Sequence, residues 1–165
     1  MNANQSSASS KTSAVDAIDL LKADHQKVKK LFDQLDSLTK HGASDDEKGA
    51  LVAKIRAELS VHESVENEVF FPAVRELLRK KEVLQEATED QEEAGDAIQE
   101  LGDLKPGESG YDKKVSELGR KIAAHAAEEE RDVFPQVKNS NIDTKALGEK
   151  MTARKEDLKQ EKSAH

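Results

Sequence analysis

The sequence predicts an all-α fold, an antiparallel up-down-up-down four-helix bundle with an extra C-terminal helical segment, and three observations carry that expectation. Apolar residues recur at steps of three and four over long stretches, which places them on one side of a helix. Aromatic residues are 3% of the chain and Trp is absent, so strands have little to build on. Four periodic stretches of roughly 20 residues are joined by short breaks marked by Gly or Pro, as in antiparallel helical neighbours.

Residues 1–14, rich in Ser, Asn and Ala, are expected to form a flexible tail rather than a signal peptide. Residues 15–138 would form the bundle, and residues 139–165 a C-terminal helical extension. Helix 1 starts at Ser13-Ala-Val-Asp16, which has the spacing of a capping box, and carries Ile18, Leu21, His25, Val28, Phe32 and Leu35 on one stripe. It is expected to end near Lys40, before Gly42. Helix 2 starts at the capping box Ser44 to Glu47 and carries Leu51, Ile55, Leu59, His62, Glu66 and Val69. Pro72 predicts a break or kink at the Phe70-Phe71 pair, with a short helical piece from Ala73 to Lys81.

The third stripe is Leu84, Ala87, Gln91, Ala94, Ile98 and Leu101, ending at Gly102 and followed by the Pro-Gly loop of residues 105–110. Helix 4, with Ser109 to Asp112 as a candidate cap, carries Val115, Leu118, Ile122, His125, Glu129 and Val133. A last amphipathic stretch, Ala146 to Leu158, is expected to be partly packed or frayed, and no chemistry is assigned to it.

Charge and composition exclude several functions. The net charge of -8, with 26 Lys and Arg scattered among 34 acids, argues against a nucleic-acid partner, which requires clustered cations. The lack of Cys excludes disulfides, thiolate metal sites and Cys nucleophiles. No apolar run approaches the roughly 20 residues that span a bilayer, so no membrane partner and a cytoplasmic location are expected.

One pattern occurs twice. His62-x-x-x-Glu66 and His125-x-x-x-Glu129 are each followed at the same offset by Phe-Pro, Phe71-Pro72 and Phe134-Pro135. Residues four apart stack on one helix face, so each copy aims an imidazole and a carboxylate at one place. Every one of the four stripes is polar near its middle: His25, His62 with Glu66, Gln91, His125 with Glu129. A single core His is ordinarily a hydrogen-bonded structural residue. Three imidazoles and two carboxylates buried together are different, since each unpaired charge costs several kcal/mol unless a cation offsets it. Imidazole and carboxylate donors are the groups that bind iron, manganese or zinc. His41 and His165 lie off the pattern, in a loop and at the terminus, and are expected to be exposed. Glu63, next to His62, is a further candidate ligand. The Phe-Pro repeat reads as structure, the ring closing the core and Pro ending the helix.

The ferritin-like arrangement places Glu three residues before each His. Here Leu59 and Ile122 hold those positions, which disfavours it. The order found, Asp24-His25 in the first helix and two H-x-x-x-E…F-P segments, resembles the hemerythrin-like family of HHE cation-binding domains over about residues 15 to 136. The resemblance implies a four-helix bundle around a non-haem di-iron centre that binds or senses oxygen, nitric oxide or peroxide, or handles iron. By position it implies His25, His62, Glu66, His125 and Glu129 as metal ligands, with Glu63 added in some members. Family members usually place a His on the third helix, where this chain has Gln91, a weak neutral donor, flanked by Asp90 and Glu92.

The expected function is therefore iron binding with a small diatomic molecule or peroxide as the partner, and no residue is assigned a catalytic role. The competing expectation is a metal-poor helical interaction or stress-response scaffold whose polar layer is structural.

Overall fold

A computed structural model describes residues 15–78 and 80–163 of the chain. The tail at residues 1–14, the cap at Ser13 and the terminal His165 lie outside them. The described residues are helical, with no strand among them, and contain five long helices. They are α1 (Ala17–Lys40), α2 (Asp45–Val65), α4 (Lys81–Asp103), α5 (Tyr111–Glu128) and α7 (Thr144–Ser163). Two short pieces, α3 (Phe71–Val74) and α6 (Phe134–Lys138), follow α2 and α5. α1 packs against α2 and α5, α4 packs against α2 and α5, and α7 lies on α1 and α2.

The start of α1 differs from expectation. Its cap is Asp16, whose carboxylate accepts from the backbone of Ile18 and Asp19, so the helix begins at Ala17. Ser44 and Glu47 cap α2 reciprocally, as the sequence indicates. Ahead of α5 the cap residue is Gly110, at φ 81°, and no side chain caps the helix. That backbone conformation suits glycine alone among common residues, so the turn geometry selects Gly110 over a Ser109 cap.

The Phe-Pro segments do not break the helices at Phe. Each copy instead passes through a wider π-helical turn, Glu66–Phe70 after α2 and Glu129–Val133 after α5. In each the Phe amide, Phe71 or Phe134, donates to the Glu carbonyl five residues back. Pro then falls in the first turn of the next short helix, where a missing N–H does no harm. The first copy continues through a 3-10 turn, Arg75–Leu77, and helix resumes only at Lys81.

Two hydrophobic clusters fill the interior. One joins the start of α1 (Ile18, Leu21) to the end of α2 (Val61, Val65), Ala87 of α4, Phe70, Phe71, Val133, Phe134 and the apolar side of α7. The other joins the second half of α1 (Val28, Leu31, Leu35) to the first half of α2, the end of α4 and the first half of α5. The polar residues His25, His62, Gln91 and His125 fall between them on every long helix except α7. α7 is not frayed: Met151 is fully buried, with Leu147 and Leu158 in the first cluster.

Candidate metal centre

The layer between the clusters brings donor atoms from three helical segments to one point. His25 of α1, His62 of α2, and Glu66 and Glu129, each the first residue of a π turn, offer ligand atoms within 4.8 Å of one another. Each carboxylate faces inward one helical turn after its histidine, and the backbone widens just beyond it, a placement in which π turns recur at functional sites. His62 Nε2 lies 3.1 Å from Glu66 Oε1 and His25 Nε2 lies 3.4 Å from Glu129 Oε1. Neither pair is aligned as a hydrogen bond: these ring nitrogens and all four carboxylate oxygens are buried without a partner. Donor atoms that converge in this way have the arrangement a shared cation requires.

Among the described residues, the buried side-chain N and O atoms lacking a partner all belong to this layer except the Tyr111 hydroxyl. Native interiors contain few such atoms, and each demands an explanation. A cation supplies one. Two imidazoles and two carboxylates in a water-poor cluster are the donor set of a divalent or trivalent first-row metal.

The sequence model of the hemerythrin HHE cation binding domain matches residues 16–137. The chain belongs to this family. A solved structure with the same description, a hemerythrin HHE cation binding domain-containing protein from Mycobacterium kansasii, shares 28% sequence identity. It superposes with a TM-score of 0.73, covering 89% of this chain and 89% of that one. No curated protein matches the sequence.

The remaining ligand candidates of this HHE domain sit beside the four. His125 Nε2 is 3.6 Å from Glu129 Oε2, so the two oxygens of Glu129 face two different imidazoles. Glu63 is half-buried and its carboxylate rests on Gly95 of α4, where a Cβ would stand 2.7 Å from Oε1. Gln91 is buried, donates from Nε2 to Asn67 Oδ1 at 3.0 Å, and leaves its own Oε1 without a partner. Glu63, Gln91 and His125 line a cavity of about 260 Å³ together with His25, His62 and Glu66. Away from the polar layer its walls include Val28, Phe32, Leu59, Ala94, Ile98 and Ile122, with Lys29, Asp33, Asp36 and Arg120 also on the lining. His41 is exposed at the end of α1, as expected.

Electrostatics without a cation show how poorly the layer satisfies itself. Burial holds the His25 and His125 rings below the usual imidazole range, and at His25 the charge on His62 adds to the effect. At His62 burial is outweighed by the Glu66 carboxylate and the bond to Asp24, and its pKa rises to about 10. At Glu66 burial is overridden by the His62 charge, and its pKa falls to about 2. Glu129, buried beside charged Glu66, is pushed well above the usual carboxylate range. Burial, reinforced by Glu66, also raises Glu63. The metal-free layer thus settles into one ion pair and one carboxyl that keeps its proton.

Two residues outside the expected ligand set hold His62 in place. Asp24 Oδ2 accepts from His62 Nδ1 at 3.1 Å, and Lys155 of α7 donates to the other oxygen, Oδ1. A carboxylate on Nδ1 keeps the proton there and leaves the Nε2 lone pair free for a metal. Asp24 was visible beside His25 in the motif, but its off-stripe position gave no hint of a bond to helix 2. Lys155 had no local signal at all. Phe134 of the second Phe-Pro stacks on His25, with ring centroids 6.0 Å apart and planes 5° from parallel, so this ring orients His25 as well as closing the core.

Proposed function

We propose that this HHE domain holds a pair of non-haem iron ions and uses them to bind or sense oxygen, nitric oxide or peroxide, or to store and hand on iron. The observation that carries the proposal is the set of convergent, unpartnered nitrogens and carboxylate oxygens between two dry clusters. A hydrogen-bonded scaffold would have paired those atoms with each other, which argues against the metal-poor alternative.

His25, His62, Glu66 and Glu129 would hold one ion, and Glu129 together with His125, and with Glu63 or Gln91 nearby, would hold the other. The reading is supported by the two imidazoles that face opposite oxygens of Glu129. Bound iron supplies a redox-active Lewis acid with exchangeable coordination positions. The protein does the rest: Asp24 keeps the proton of His62 on Nδ1, Phe134 fixes the His25 ring, and the cavity beside the donors gives room for a small molecule. With Gln91 where a stronger donor would sit, the second iron is held less tightly than the first, and iron is favoured over zinc or manganese.

The same reading makes α1, α2, α4 and α5 an up-down-up-down bundle with α7 laid against it. Its support is the alternation of first and second halves of successive helices between the two clusters. We place the protein in the cytoplasm, in keeping with the lack, among the described residues, of a helix long and apolar enough to cross a membrane.

Anaerobic titration of chelator-treated protein with ferrous iron, followed by nitric oxide, tests both parts. Saturable uptake of iron and a new visible absorption on adding the gas are expected. Failure to take up iron would remove the proposal; uptake with no response to nitric oxide, oxygen or peroxide would leave iron handling as the function.

A further inference from the structure

The segment beyond the family match reaches back into the centre. The match ends at residue 137, yet α7, which begins at Thr144, carries a charge to the group that holds His62. Its docking is fixed along its length. Thr144 Oγ1 donates to the Asp16 carboxylate that caps α1. At Gly148 the backbone of α7 lies so near the start of α1 that a Cβ would stand 1.9 Å from the Val15 carbonyl oxygen. Met151 is fully buried one turn further on. Lys155, another turn on and with a side chain only 19% exposed, then meets Asp24 Oδ1, while Oδ2 of the same carboxylate accepts from His62 Nδ1.

We infer that Lys155 is a positioning residue of the metal centre, setting through Asp24 the orientation and donor strength of His62; the inference rests on the iron reading above. The physical reason lies in what Asp24 would do alone. A buried carboxylate with no cation draws strongly on the one proton it can reach, here the proton on Nδ1 of His62. That pull enriches the ring in electron density and makes Nε2 a stronger donor, which favours the more oxidised metal. The ammonium of Lys155 takes up part of the charge on Asp24 and restrains the pull. It also occupies Oδ1, so that Asp24 can turn only Oδ2 to His62. α7 is thereby more than packing: it determines the electronic state of a ligand that lies on another helix.

The test uses the full-length chain loaded with iron and, separately, with Co(II), in the wild type and in Lys155→Met, Lys155→Arg and Arg154→Met. Arg154 is the control because it joins α7 to Glu68, and bonds Glu161 within α7, without touching Asp24. The midpoint potential of the iron form should fall in Lys155→Met and stay with the wild type in Lys155→Arg and Arg154→Met. The visible spectrum of the Co(II) form should change in Lys155→Met alone. Loss of metal by Lys155→Met but by neither of the others supports the same conclusion. A Lys155→Met protein with the wild-type potential and spectrum overturns the inference, as does an equal shift in Arg154→Met, which would trace the effect to loosened docking. A wild type that takes up no metal overturns the iron reading itself, and this inference with it.

Discussion

His62 is engaged on both sides of its ring, with Asp24 on Nδ1 and Glu66 facing Nε2. Replacing it by Ala strips the metal group of a nitrogen and leaves the buried Glu66 carboxylate uncompensated, while Asp24 keeps Lys155, a loss of about 3–5 kcal/mol even without metal. We expect His62→Ala to retain at most one ion per chain and to melt lower than the wild type in both metal-free and loaded forms. His125→Ala should lose metal with a smaller change in the metal-free melting temperature, because that ring lacks a carboxylate clamp on its far nitrogen. His41→Ala, at an exposed position, should change neither quantity. Gln91→His should raise occupancy of the second position, measured by metal analysis after limited loading. The pH dependence of the metal-free protein follows from the same groups. His62, raised from 6.5 to about 10, adds stability that is complete below pH 6.5 and lost as pH climbs to 10. Glu66, lowered from 4.5 to about 2, adds stability that is complete above pH 4.5 and lost as pH falls toward 2. His25 and His125, both lowered, oppose folding below pH 6.5. Glu129, raised by burial beside Glu66, also loses stability as pH climbs, in the same sense as His62. Thermal unfolding should therefore show a melting temperature that falls from pH 6.5 toward pH 10; a melting temperature that rises across that alkaline range contradicts the assigned charges. The cluster of His25, His62, Glu66 and Glu129 was legible in the sequence, the H-x-x-x-E copies from their spacing and His25 as the polar residue on an otherwise apolar stripe. Asp24 and Lys155 were not, since a contact spanning 131 residues leaves no mark on local periodicity.

At the scale of elements, the stripes of all four bundle helices were readable, and the residues on them are buried or half-buried as their spacing requires. What the sequence concealed was the path just after each Glu. Proline signals that an ordinary turn cannot continue, but it does not say whether the chain breaks or widens, and here it widens twice into a π turn. α7 was underestimated for a related reason: a helix with many charges and only Leu147, Met151 and Leu158 inside looks weak by itself, and its strength comes from the surface already waiting for it. Gly148 shows the difference. A mid-helix Gly→Ala change ordinarily stabilises by about 1 kcal/mol through helix propensity. At Gly148 the Cβ would strike the Val15 carbonyl, so Gly148→Ala should instead destabilise, by about 1–3 kcal/mol. Met151→Ala, at a fully buried position, should cost about 2–5 kcal/mol. Denaturant unfolding measures both, and a stabilised Gly148→Ala would show that α7 is not docked on α1 as described.

For the molecule as a whole, the architecture is two apolar clusters with a polar layer between them, and that layer leaves buried donor atoms unpartnered that a bound cation would satisfy. A ligand that binds the folded state alone raises its stability by mass action, so metal loading and thermal stability must move together. Binding must also displace protons, because His62 is a cation in the metal-free protein and Glu129 keeps its proton well above the usual range. Calorimetry at pH 7 in buffers of differing ionisation enthalpy should detect release of at least one proton per metal-loaded chain. The most direct test is the identity and number of metal ions in protein freshly purified from iron-replete cells, with the melting temperature taken before and after chelation. The account predicts iron, approaching a pair per chain, and a clear drop in melting temperature when it is removed. Protein that carries no metal and melts identically with and without chelator would contradict it.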